Sequence, residues 1–367
     1  IERQCFANSE SLHVEGFSAD KIFCSAREKV AKCFCCSPEE IYFNSGATEG
    51  NNWVLRNIAS QAATREIHII TTAFEHSSII NTLHELEVTY PLLRVTYVQP
   101  ELDGHISFHK IVDAINAKTR LISIMYVNNE LGTDQGAVIK RLYKALRKAQ
   151  SPILLHTDAT QFCGRSDIIQ EHNYDILTLS THKFYGPKGS GIIYMKKEPK
   201  RDATLTSQNI AGSQQNGIRG GTINIAMAYG TALALERNLH SATDQTAKRI
   251  NALSVYFKQQ LSIINPSIHV FGSDIPNIIN VDFSDVSAHN MRQLLDLRGV
   301  ACSLGSACDG QKEDYSHVLK SVGFTEKQAK GTVRFSLTKH TTKREINQVL
   351  KIIRQEMSND KIDKTND

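Results

Sequence analysis

Between Ile41 and Tyr194 the chain alternates short runs of β-branched and aromatic residues with longer segments of helical spacing, which restricts its architecture more than any other feature. The runs are IYF at 41–43, IHIIT at 67–71, RVTYV at 94–98, LISIMYV at 121–127, ILLHTDA at 153–159, DILTLS at 175–180 and GIIYM at 191–195. Several are apolar almost throughout, as strands covered by helices on both faces of a sheet must be. Val138, Leu142, Ala145 and Leu146 share one stripe and predict a helix from about 137 to 148, with Lys140, Arg141, Lys144 and Arg147 on its wet side. The reading is an α/β fold with a mainly parallel seven-stranded sheet. Its chemistry should lie at the carboxyl ends of the strands.

A chain of 367 residues is longer than one core usually organises, and the strict alternation stops near Ser241. Beyond that point the pattern predicts a helix to about Leu261, a strand at NIINVDF (277–283), a helix from His289 to Leu297, a strand at TVRFSL (332–337) and a terminal helix. The expected division is a large domain at 1–240 and a smaller α+β domain at 241–367. The tail KIDKTND is expected to fray.

Lys and Arg number 42 against 38 Asp and Glu, a net charge of +4 scattered along the chain, which argues against nucleic acid as a direct partner. Eight Cys at irregular spacing do not make a disulfide framework. A reducing compartment fits: the cytoplasm, or the mitochondrial matrix if the source is eukaryotic. Cys33, Cys35 and Cys36 lack paired metal-ligand spacing and read as buried thiols, so no metal centre is expected. No apolar run reaches bilayer length, and IERQCFANSE lacks a signal peptide's core. A start at Ile1 rather than Met suggests missing residues before it.

Three segments at strand ends carry chemistry. In Asn44-Ser45-Gly46-Ala47-Thr48-Glu49-Gly50 a strand gives way to a small-residue turn and a helix start, whose free N–H groups and dipole suit a phosphate. Taken alone, the segment reads equally as a connection capped by Ser45 or Thr48. In His156-Thr157-Asp158-Ala159-Thr160-Gln161 the aspartate ends an apolar strand, where its charge is costly without a positive partner. A protonated pyridine nitrogen is such a partner; a helix cap is the plainer use. In Ser180-Thr181-His182-Lys183-Phe184-Tyr185-Gly186-Pro187-Lys188 a lysine is held between a strand end and a Gly-Pro turn. Partial desolvation there would lower the pKa of Lys183 and let its amine form a Schiff base. Lys188 competes for that role from a turn that should be exposed.

These segments, with Glu-His-Ser-Ser (75–78), Val-Asn-Asn-Glu-Leu-Gly (127–132) and Arg-Gly-Gly-Thr (219–222), resemble the ordered motifs of cysteine desulfurases within the class V aminotransferase group, from about Phe6 to the terminal helix. The resemblance implies the aspartate-aminotransferase-like fold of pyridoxal-phosphate (PLP) enzymes and a homodimer. It implies that Lys183 holds PLP, Asp158 pairs with its pyridine nitrogen, and His76 stacks on its ring and moves protons. Gln161 and Asn129 would touch the phenolic oxygen or the substrate. Ala47, Thr48, Ser180 and His182 would bind the phosphate, joined by Thr222 from the partner subunit, and Arg334 would clamp the carboxylate of L-cysteine.

PLP serves many reactions, so a local group must select one. Small and polar residues from Ala301 to Asp314 predict a loop able to carry a cysteine between the site and an outside acceptor. Cys-Ser-x-Gly-Ser-Ala-Cys resembles the family's sulfur-carrying loop and puts Cys308 at the nucleophile's position, with Cys302 structural. The implied products are L-alanine and a Cys308 persulfide, whose sulfur passes to an acceptor for iron–sulfur cluster assembly or tRNA thiolation. A selenocysteine lyase, a related class V aminotransferase and a non-catalytic scaffold are the competing readings. Three departures from the pattern stand out: the family's Ala-Thr-Thr element is absent before Ile1, Asn8-Ser9-Glu10-Ser11-Leu12-His13 lacks the usual proline, and Ala211–Gln215 is poorer in glycine than expected.

Overall fold

A computed structural model describes residues 6–161, 166–197, 206–207, 209–241, 244–272, 274–283, 288–304 and 316–363. The seven runs read from the sequence become strands β1 (Ile41–Asn44), β2 (Ile67–Thr72), β3 (Leu93–Val98), β4 (Thr119–Ser123), β5 (Leu154–Asp158), β6 (Ile176–Ser180) and β7 (Gly191–Met195). They form one sheet in the order β1-β7-β6-β5-β4-β2-β3. β3, β2, β4, β5 and β6 run parallel, and β7 is antiparallel to both β6 and β1. The expected α/β architecture is therefore the observed one. β2, β5 and β6 are buried along their whole length, whereas the edge strand β3 is half exposed and carries Arg94 outward.

The ladder of β4 ends at Ser123, short of the predicted 127. Ile124 and Tyr126 still donate their N–H groups to the carbonyls of His156 and Asp158, which carries the chain along β5 to a buried turn at 128–132.

Three more strands, β8 (His269–Phe271), β9 (Ile278–Asp282) and β10 (Thr332–Ser336), make a second, antiparallel sheet in the order β10-β9-β8. Helices Asp244–Ile264, Ala288–Leu297 and Lys343–Asp363 share a core with it, built on Phe257, Leu261, Val281, Phe283, Leu295 and Ile353. A domain division near residue 240 is proposed on this second core. Ile275, Ile278, Val318 and Leu319, although beyond that point, pack into the core of the large sheet.

The helix predicted from near Ser241 to about Leu261 is found as Asp244–Ile264. A helix that the sequence pattern did not give, Ile225–Ser241, precedes it and packs along Val14–Phe34 through small residues such as Ala228 and Ala232. The terminal helix reaches Asp363 and so takes in the first three residues of the tail expected to fray; residues 364–367 lie outside the described residues. Among the described residues no helix is long and apolar enough to cross a membrane.

Candidate active site

At the end of β1 the chain turns through Gly46, whose φ of +147° is closed to most side chains, and enters the helix Ala47–Ser60. Asn44 Oδ1 accepts the Gly46 N–H at 3.0 Å, and the Ala47 N–H donates to Ser180 Oγ at 2.8 Å. The first strand end is thereby tied to the end of β6. Thr48, the next residue, is exposed.

One turn into this helix Asn51 is fully buried and acts as a junction. Its amide donates to Asp158 Oδ2 at 2.7 Å and to Ser78 Oγ at 2.9 Å, while its Oδ1 accepts from Thr178 Oγ1 at 2.6 Å. Ser78 Oγ in turn lies 2.8 Å from His76 Nδ1. That ring nitrogen also accepts the backbone N–H of Ser78 at 3.1 Å, so in the neutral ring the proton resides on Nε2. A continuous chain of hydrogen bonds thus joins His76 to Asp158 across three elements. Asp158 is 5% exposed, and its other oxygen accepts the Thr160 N–H at 2.9 Å. Both bonds come from neutral donors, so the buried carboxylate remains suited to a cationic partner.

Lys183 occupies a 3-10 turn, Thr181–Phe184, directly after β6. Buried Phe184 and the contact of Thr181 Oγ1 with Thr231 Oγ1 at 3.1 Å pin the turn from below. Tyr185 ends it in the left-handed region at φ +66°. His182 and Lys183 are therefore exposed, and the desolvation expected of Lys183 is not seen, because the turn opens onto a cavity of about 570 Å³. Asn129, Gln161, His182, Lys183 and Arg334 all line it. Burial, then the charges of Lys183 and Lys188, push the His182 ring below its ordinary pKa. Arg334, on β10, donates through Nη1 to the Asn129 carbonyl at 2.8 Å. Among the described residues Asn129 Oδ1 is buried and has no hydrogen-bond partner, which marks a polar contact left for a ligand.

The structure thus gathers five of the sequence-read residues around one cavity and ties His76, Asp158, Ala47 and Ser180 into the adjoining strand ends. Thr222 is elsewhere in its own protomer, lining a second cavity of about 170 Å³ with Ser45, Ser190 and Arg219. Cys308 lies outside the described residues. Cys302 is half-buried, and desolvation pushes its thiol up to about 11.

Sequence reasoning missed Asn51, Ser78, Thr178 and Glu75. Asn51 was detectable in principle: it falls on the same stripe as Val54, Leu55 and Ile58, where a polar residue needs a reason. Glu75 is fully buried; its Oε1 accepts from Thr72 Oγ1 at 2.5 Å and from the Met125 N–H at 2.9 Å, and its Oε2 has no partner among the described residues. Desolvation, with the nearby Asp158 charge, raises its pKa to about 8. His156, enclosed between Ser123 and Thr178, is pushed down to about 4 by desolvation. Between about pH 4.5 and 8 the folded protein keeps a proton on Glu75 that the unfolded chain releases, so this group's stabilisation is lost as pH rises through that window. His156 has the opposite sign, costing stability as pH falls from 6.5 towards 4. Glu75→Gln keeps both accepted bonds and removes one titration. Relative to the parent it is expected to gain on the order of 3 kcal/mol between pH 5 and pH 8 in urea unfolding. A difference that stays flat with pH would show that Glu75 is ionised when folded.

The sequence pattern of class-V aminotransferases matches residues 3–349. The chain belongs to the class-V aminotransferase family. Within this family it is 34% identical over 355 residues to the cysteine desulfurase IscS of Dictyoglomus turgidum, covering 96% of this chain and 87% of that protein. Among solved structures, a NifS-like protein superimposes with a TM-score of 0.86 at 30% identity, covering 97% of this chain and 93% of the other. SspA in complex with cysteine gives 0.77 at 32% identity, covering 92% of each. The desulfurase resemblance read from the motifs is the one these class-V relatives carry.

Proposed function

We propose that the chain is a PLP-dependent cysteine desulfurase that takes sulfur from L-cysteine onto Cys308. The observation that carries the reading is the convergence of Lys183, Gln161, Asn129 and Arg334 on one cavity, with Gln161 three residues past the buried Asp158 that ends β5. PLP fits this donor set, and when bound it supplies an electron sink for the substrate's Cα. Asp158, fixed by Asn51 and the Thr160 N–H, would hold the charge of the pyridine nitrogen. Ser180, His182 and the start of the helix at Ala47 and Thr48 would take the phosphate, with Thr222 reaching the partner protomer's site. His76, its Nδ1 occupied as an acceptor, would stack on the cofactor ring and move protons through Nε2.

Arg334 would receive the carboxylate of cysteine, its planar fork already oriented by the Asn129 carbonyl. Lys183 would hold the cofactor and then move the Cα proton. The Cys308 thiolate attacks the substrate sulfur and forms the S–S bond as the C–S bond breaks; the electron pair of that bond, with a proton, ends in alanine. No external oxidant is needed. The resulting persulfide passes to an acceptor of the iron–sulfur or tRNA-thiolation kind. A homodimer accounts for Phe6, Leu12, Val14 and Ile210 standing exposed.

The test is turnover: purified protein loaded with PLP is expected to release alanine and sulfide in equal amounts from L-cysteine under excess thiol reductant. Pyruvate and ammonia in place of alanine would replace desulfuration with elimination.

A further inference from the structure

Gly50 lets the helix Ala47–Ser60 lie directly on the large sheet, since a Cβ there would come within 2.9 Å of the Thr178 side chain and 3.1 Å of Ile193. The next residue, Asn51, is therefore pressed against β5 and β6, fully buried, and a buried amide is costly unless its donors are used. Both are used. One N–H goes to Asp158 Oδ2 at 2.7 Å and the other to Ser78 Oγ at 2.9 Å, while Oδ1 accepts the Thr178 hydroxyl at 2.6 Å.

A carboxylate oxygen only accepts, so the amide has one orientation and every hydroxyl joined to it has one direction. Thr178 Oγ1, donating to Asn51, is left as an acceptor towards His156 Nε2 at 3.4 Å, and His156 Nδ1 faces Ser123 Oγ at 2.8 Å. Ser78 Oγ, accepting from Asn51, donates to His76 Nδ1 at 2.8 Å. The amide is thus braced from β4, β5 and β6 on one side and reaches Asp158 and His76 on the other. Asp158 receives a further bond from the Thr160 N–H, which the backbone alone supplies. The Asn51 bond depends on one particular side chain. Hydrogen bonds donated to a carboxylate favour its charged form, and that form leaves the proton on a facing pyridine nitrogen.

We infer that Asn51 is a positioning residue for the cofactor: its amide holds the Asp158 carboxylate as an acceptor, so that the proton between carboxylate and pyridine nitrogen stays on the nitrogen, and through Ser78 it orients His76. Both groups assigned to the cofactor ring are thus referenced to one buried side chain. The inference rests on the reading of Asp158 as the partner of the pyridine nitrogen.

The test loads the protein with PLP isotopically labelled at the ring nitrogen, whose NMR shift separates a protonated pyridine nitrogen from a bare one, and measures PLP affinity alongside. The parent is expected to give the protonated signal. Asn51→Leu, close to asparagine in shape but without donors, should move the signal towards the bare position and weaken PLP binding roughly tenfold or more, the scale of one hydrogen bond to a charged group. Thr178→Val keeps the amide and removes its brace, so it should move the signal the same way by a smaller amount, and it decides the matter should the leucine variant fail to fold. Ser78→Ala, which leaves the Asn51–Asp158 bond in place, should keep the parental signal. A parental signal in Asn51→Leu and Thr178→Val, with Asp158→Ala shifted, would overturn the inference alone. So would an equal shift in Ser78→Ala, which general loosening of the core would give. A bare nitrogen in the parent, or a parental signal in Asp158→Ala, would remove the reading of Asp158 and the inference with it.

Discussion

Lys183→Ala is expected to lower cysteine turnover by at least about a thousandfold, equivalent to ~4 kcal/mol of lost transition-state stabilisation, without unfolding the protein. The fold should survive because the side chain is exposed and the turn that carries it is held by Phe184 and Thr181. The chemistry should not survive, because among the described residues Lys183 and Lys339 are the amines that line the cavity with Asn129, Gln161 and Arg334, and of the two Lys183 stands at the end of β6. Borohydride reduction of the PLP-loaded parent should leave the cofactor's mass on the peptide containing Lys183 and nowhere else. The variant should carry none. A label on Lys188, exposed five residues further along, would transfer the assignment to that residue and undo the geometry argued for the cavity.

The sheet was legible because its strands other than the edge strand β3 are buried along most of their length and so read as apolar runs. Strand ends were also where the site could be found: Asp158 and Ser180 close β5 and β6, and each is buried against a partner that the linear sequence places more than a hundred residues away. Those partners were not legible. Nothing in the local pattern of Asn51 says that it meets Asp158 and Ser78, because the contact is created by laying the helix Ala47–Ser60 across β6. The state of Glu75 was hidden for a related reason, since beside its local bond to Thr72 at the end of β2 it meets the N–H of Met125, just past β4, and the charge of Asp158 at the end of β5. Desolvation of Lys183 was misjudged because a Gly-Pro turn suggests enclosure, whereas the turn rides on the rim of an open cavity. Small-domain elements were read less well. Short strands such as β8, with a half-exposed edge, have too few residues to show a period.

Cys308→Ser is expected to leave PLP binding and cysteine binding intact and to abolish persulfide formation, with sulfide release falling by about a hundredfold or more. The other thiols of the chain are poor replacements. Burial pushes Cys302 and Cys33 up to about 11 and Cys36 up to about 12, so near neutral pH their thiolates amount to roughly one part in several thousand or fewer. Cys302 is also fixed beside the Ser303–Arg334 backbone pair and packs against the core under the second sheet, which leaves it no freedom to reach the cavity. Serine keeps the size of the side chain but is a poor nucleophile towards sulfur, so the substitution isolates the transfer step from cofactor and substrate binding. Alkylation with mass spectrometry after one turnover reads the result directly. A persulfide found on Cys302 in the variant, or turnover at the parental rate, would show that the reaction does not pass through Cys308, and that the selecting group must be sought among the residues lining the cavity.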